Sequence, residues 1–131
     1  MTTTTSETWA APTDFAEDLL ERYGLTCPPR WGTPRHPDRP SLGPKLWKVM
    51  ERLGAPPMPW QKYVSDVALE IDPETRLFAH REVGLSVSRQ QGKTELCLAA
   101  QVHRALAWQK QNIIYAAQHR AMARQRWEDE F

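Results

Sequence analysis

The chain has 131 residues, 40% of them hydrophobic and 25% charged, with a formal net charge of +1. That length allows one domain with a modest core, and no run of 18 apolar residues exists to cross a membrane as a helix. The opening residues lack the basic start and apolar stretch of a secretory signal, and the two widely separated cysteines, Cys27 and Cys97, read as free thiols rather than a disulfide framework.

Charge is distributed unevenly. Residues 1 to 21 hold five acids and no base, whereas residues 22 to 62 hold eight bases and two acids. Such a basic stretch suits a phosphate backbone, and equally a solvated linker. Cys27 with His36 offers only half of a zinc ligand set, so metal binding by cysteine and histidine is set aside.

In chain order, "TDFAEDLLERYG" predicts a short helix, with Asp14 and Glu17 spaced as a capping box and Gly24 as its stop. The stretch "LTCPPRWGTPRHPDRPSLGP" carries six prolines and reads as an extended arm or linker. A second helix is expected over "KLWKVMERLG", where Leu46, Met50 and Leu53 recur at near-helical spacing. A third starts at Pro59 and runs through "PWQKYVSDVALEI", with proline in its first turn. All eleven prolines precede residue 74, and the remainder has another rhythm. "RLFAH" and "EVGLSVS" read as short strands, "GKTELCLAAQVHRALAW" as a helix, "NIIYAA" as a strand and "QHRAMARQRWEDEF" as a helix. Strand, loop, helix, strand, helix is the pattern of an α/β unit with a parallel sheet.

The stretch "VSRQQGKTEL" holds the chemistry. Glu82 to Val87 supplies a strand and Ser88 to Gln91 a curl of backbone N–H groups. Gly92 allows close approach of the chain to an anion. Lys93 offers an ammonium for terminal phosphates, Thr94 a hydroxyl for magnesium, and the helix that follows adds partial positive charge. The glycine that usually opens such a loop is replaced by Val87. The tripeptide Gly92-Lys93-Thr94 is common enough to arise by chance, so its weight comes from its place between a strand and an amphipathic helix. The fold expected from these elements is an incomplete P-loop NTPase-type parallel sheet with flanking helices (residues 56–131), preceded by a helical and proline-rich segment (residues 1–55).

Ser88-Arg89-Gln90-Gln91-Gly92-Lys93-Thr94 resembles the variant phosphate loop of the large terminase subunits of tailed bacteriophages, which commonly lacks the opening glycine. "PWQKY" is similar to the element in which a glutamine reads the adenine edge, and "NIIYAAQHRAMARQRWEDEF" to the second strand and helix of the same ATPase domain. The resemblance covers about residues 56 to 131. It implies that Lys93 contacts the β and γ phosphates of ATP, that Thr94 binds Mg2+, and that Arg89 acts on the γ-phosphate as an arginine finger in cis. Ser88, Gln90, Gln91 and Gly92 would complete the nucleotide site, with Gln61 reading the base and Trp60 either beside it or merely packing its helix. The implied setting is DNA packaging in the host cytoplasm during virion assembly. The implied partners are double-stranded DNA, a terminase small subunit, a portal protein and further copies of the complete motor, with no membrane.

An acidic pair closing a third apolar strand, and the carboxylates of a nuclease, are expected in such a motor and are not found. "WEDEF" reads as an exposed helix end. The chain is therefore expected to bind ATP without hydrolysing it alone, as a truncated or interrupted copy or with the rest supplied by another chain. A helicase-like translocase shares the glutamine and phosphate-loop layout, although glycine or alanine is usual at the place of Val87. An interaction module that docks a partner through residues 22 to 62, with a vestigial loop, is the reading from a different class. Trp9, Trp31 and Trp47 fall in the irregular half, as anchors to the ATPase core or to a partner. His80, His103 and His119 are expected at or near the surface without catalytic duty.

Overall fold

The computed structural model describes residues 13–130; Trp9, the other residues before Thr13, and Phe131 lie outside the described residues. Among the described residues five helices appear in order: α1 (Thr13–Tyr23), α2 (Gly43–Arg52), α3 (Pro59–Ala68), α4 (Lys93–Ala107) and α5 (Arg120–Glu130). Each follows an amphipathic stretch of sequence except α5, none of whose described side chains is buried.

Helix α1 places Phe15, Leu19 and Tyr23 one turn apart, and all three are buried against Tyr63 and Val67 of α3. Full burial of an aliphatic or aromatic side chain contributes about 1.5–3 kcal/mol each. Gly24 ends the helix in a left-handed conformation (φ +70°), donating to the Leu20 carbonyl at 2.8 Å while the Leu25 N–H reaches Leu19. Because α1 begins at Thr13, Asp14 lies inside its first turn, where it meets the helix dipole; it is not the cap of a capping box.

A second cluster joins Leu46 and Met50 of α2 to Leu96 and Ala99 of α4, with Trp60, Val64, Leu69 and Leu85 packed around it. Leu53, which shares the α2 spacing, is half exposed. Helix α2 touches both α3 and α4, so the two clusters are continuous through it. Gly43 permits the α2–α3 approach: a Cβ there would stand 2.6 Å from the Asp66 Cα. The boundary drawn after residue 55 falls between α2 and α3, two helices that pack on each other.

The expected parallel sheet is not formed. Among the described residues the only β pairings are two isolated antiparallel bridges, Ser41 with Glu70 and Ile71 with Phe78. The first is flanked by bonds from the Ile71 N–H to Pro40 and from the Leu42 N–H to Leu69. The second belongs to a tight hairpin in which Asp72 Oδ1 accepts from the Glu74 and Thr75 N–H groups, and Arg76 takes a left-handed conformation. "RLFAH" is thus one arm of that hairpin. Neither Glu82 to Val87 nor "NIIYAA" has a ladder partner. Leu85 and Val87 are half-buried between exposed neighbours, with Leu85 packed on the second cluster. Ile113 and Tyr115 are half-buried, while Ile114 is 89% exposed. The physical reason is that β-leaning residues form a strand only when another strand accepts their backbone groups. These two segments satisfy the alternation and lack the pairing.

Candidate functional site: the turn before helix α4

The turn is shaped by two left-handed residues, Gln90 (φ +58°) and Gly92 (φ +93°), on either side of Gln91. Helix α4 starts immediately afterwards. Its first intrahelical bond runs from the Leu96 N–H to the Gly92 carbonyl, so the N–H groups before Leu96 have no acceptor within the helix. Free N–H groups at a helix start, backed by the dipole, form an anion site when the space in front is open. Here an open hollow of about 580 Å3 is lined by Gln90, Gln91, Gly92, Lys93, Thr94, Glu95 and Leu98.

Two side chains hold the turn. The Lys93 ammonium reaches back across it and donates to the Val87 carbonyl at 2.7 Å, closing residues 87 to 93 into a ring. From α3, Gln61 Nε2 donates to the Gly92 carbonyl at 2.8 Å, while Gln61 Oε1 accepts the Met58 N–H at 2.8 Å. The second bond is one half of a capping box at the start of α3. Gly92 is required twice over. Its φ suits glycine, and a Cβ there would lie 2.7 Å from Met58 Cε and 2.8 Å from Gln61 Nε2.

The structure thus brings Gln90, Gln91, Gly92, Lys93 and Thr94 together on one hollow and places Gln61 behind them. Gln61 is 2% exposed and both its polar atoms have backbone partners. Ser88 and Arg89 are exposed and outside the lining, and Arg89 makes no ion pair or hydrogen bond among the described residues. Trp60 packs on the second cluster, with its indole N–H lacking an acceptor. Sequence reasoning missed Glu95, the one acid of the first turn, and Leu98, both lining residues. Leu98 was recoverable, since it lies one turn beyond Thr94. The Cys97 thiol is exposed, and partial desolvation raises its pKa, opposed by the Lys93 charge.

A second constellation was also missed. The proline-rich arm is clamped to α3 by Arg35, whose guanidinium pairs with Asp66 (3.2 Å) and Glu70 (3.4 Å) and also donates to the carbonyls of His36 and Arg39. Glu70, 1% exposed, accepts the His36 N–H at 2.9 Å and faces Arg39 at 3.3 Å. His80 Nε2 stands 3.4 Å from Glu70, an ion-pair distance without hydrogen-bond geometry. Tyr23 donates to Asp66 at 2.7 Å, and burial with this bond raises its hydroxyl pKa. Tyr63 donates to the Thr33 carbonyl, and burial pushes it up to about 12. Arg35 and Arg39 are therefore spent on internal carboxylates, while Arg30, Lys45, Lys48 and Arg52 stay exposed. His103 is buried, against expectation, and burial followed by the charges of Lys45 and Arg104 holds it below its ordinary 6.5.

Among the described residues no cluster of three or more His, Cys, Asp or Glu could hold a metal, and no helix is long and apolar enough to cross a membrane. Comparison with protein families, with curated proteins and with solved structures finds no match to this chain.

Proposed function

We propose that the turn from Val87 to Thr94 binds the triphosphate of ATP, and that the chain is the ATP-binding portion of a terminase large subunit, the motor that packages DNA into a phage capsid. The observation that carries the reading is the bond from Gln61 to Gly92. It ties together the two segments, "PWQKY" and "SRQQGKT", that resemble separate parts of one nucleotide site and lie 31 positions apart at this bond.

The residues present fit such a group. The open N–H groups of α4 and the curl at Gln90 and Gly92 would receive phosphate oxygens. Lys93 would exchange the Val87 carbonyl for the phosphates, a charge-assisted bond stronger than the neutral one it leaves. Thr94 would give one hydroxyl to a magnesium ion carried by the nucleotide. Glu95 opposes this, since its carboxylate lines the same hollow. Binding is the step these residues account for; hydrolysis, DNA, the small subunit, the portal and assembly with further copies belong to the complete motor.

Hydrogen exchange tests the reading. With MgATP, amides from Ser88 to Leu98 should slow while those of α1 stay unchanged. No change near α4 at saturating nucleotide would contradict it.

A further inference from the structure

We infer that Gln61 is a positioning residue for the phosphate turn, and that the site as built reads the triphosphate and leaves the base largely unread. The inference rests on the ATP reading above for its ligand, while its structural half stands on geometry alone.

The resemblance assigns Gln61 to the adenine edge, a task that needs a free amide facing solvent or ligand. The side chain is in the opposite situation. It is almost fully buried, its oxygen accepts the Met58 N–H and its nitrogen donates to the Gly92 carbonyl. An amide has one carbonyl oxygen and two N–H donors, so a single N–H is left over, and it belongs to a buried nitrogen. Turning the amide toward a base would strand the Met58 N–H and release the Gly92 carbonyl, and unpaired buried polar groups are costly.

What Gln61 does instead follows from its two partners. Met58 is the cap residue of α3 and Gly92 that of α4. One buried amide thus fixes the starts of both helices relative to each other. The Gly92 carbonyl also accepts the first bond of α4, from Leu96. Fixing that carbonyl fixes the first turn of α4, whose residues with free N–H groups line the hollow. Met58 Cε lies against the same point, since a Cβ on Gly92 would stand 2.7 Å from it. The specificity that results is for a chain of phosphates, matched by Lys93, Thr94 and the helix start; the amides in the lining, Gln90 and Gln91, are exposed and held by no hydrogen bond among the described residues, so neither is fixed to read a purine.

The test compares ATP, GTP and inorganic tripolyphosphate, each with magnesium, on the wild-type chain and on Gln61→Glu. This variant keeps the acceptor for the Met58 N–H and loses the donor to Gly92. Wild-type affinities for ATP and GTP should agree within about threefold, and all three ligands should weaken by a common factor in the variant, about tenfold for one lost hydrogen bond. The ratio of variant to wild-type affinity should recover as pH falls, because a protonated buried carboxyl regains a donor. A general loss of packing would show no such recovery. A preference for ATP over GTP above tenfold in the wild-type chain, or a loss in the variant confined to ATP, would overturn the inference and leave the ATP reading standing. If none of the three ligands binds the wild-type chain, the ATP reading fails. Amide exchange then decides the structural half without ligand: faster exchange from Gly92 to Leu96 in the variant, with α1 unchanged, upholds the strut, and unchanged exchange there removes it.

Discussion

Residues 29–42 and residues 111–117 lie outside any helix, and sequence ranks them in the wrong order. The first is broken by prolines and would be taken for a loose arm, yet side chains from α3 and beyond hold it: Glu70 and Asp66 grip Arg35, Arg39 and the His36 N–H, and Tyr63 grips the Thr33 carbonyl. The second is apolar and β-leaning, yet Ile114 stands exposed and no ladder forms along it. Local propensity states what a segment can do. Whether it is fixed depends on whether distant groups satisfy its backbone and charges.

The largest effect is expected where the arm is clamped. Replacing Glu70 by alanine takes a buried acceptor from the nearly buried Arg35, the partly exposed Arg39 and the His36 N–H and should cost about 3–5 kcal/mol in urea unfolding. A loss under about 1 kcal/mol would mean that the cluster is solvated and the arm loose after all. Next comes Gly92→Ala, which forces a left-handed alanine against Met58 and Gln61. It should cost about 1–3 kcal/mol and weaken phosphate binding together with stability.

A smaller effect is expected at His103. Its pKa is lowered in the folded state, so the unfolded chain binds the proton more readily. The stabilisation is full above 6.5, the ordinary value, and is lost as pH falls through the interval below it. Melting temperature should therefore drop on acidification from pH 7.5 to 5.5, and His103→Gln should flatten part of that slope. The smallest effect belongs to the unpaired segment. Ile114→Ser should change stability by no more than about 0.5 kcal/mol, and a larger loss would show that the segment is packed in solution.

Much of the helical frame was legible. Leu46 and Met50 sit at helical spacing and are buried, and Gly24 and Pro59 mark a recognisable stop and start. The shape of the turn before α4 was legible too, because Gly92-Lys93-Thr94 sets it by local chemistry, a left-handed residue followed by a helix. Three things were beyond reach. A strand needs a partner, and nothing within "EVGLSVS" states whether one exists. The Arg35–Glu70 contact joins positions far apart in the chain, so no spacing rule finds it. The direction in which Gln61 turns its amide depends on Gly92, which is distant in sequence and adjacent in space.

The measurement that bears most directly on the central claim is calorimetric titration of MgATP into the wild-type chain and into Lys93→Ala, whose folding is checked by its melting curve. Saturable binding by the wild type, weakened at least tenfold in a folded Lys93→Ala, is the result the account predicts. Equal binding by the two, or none by the wild type, would contradict a phosphate site at the start of α4.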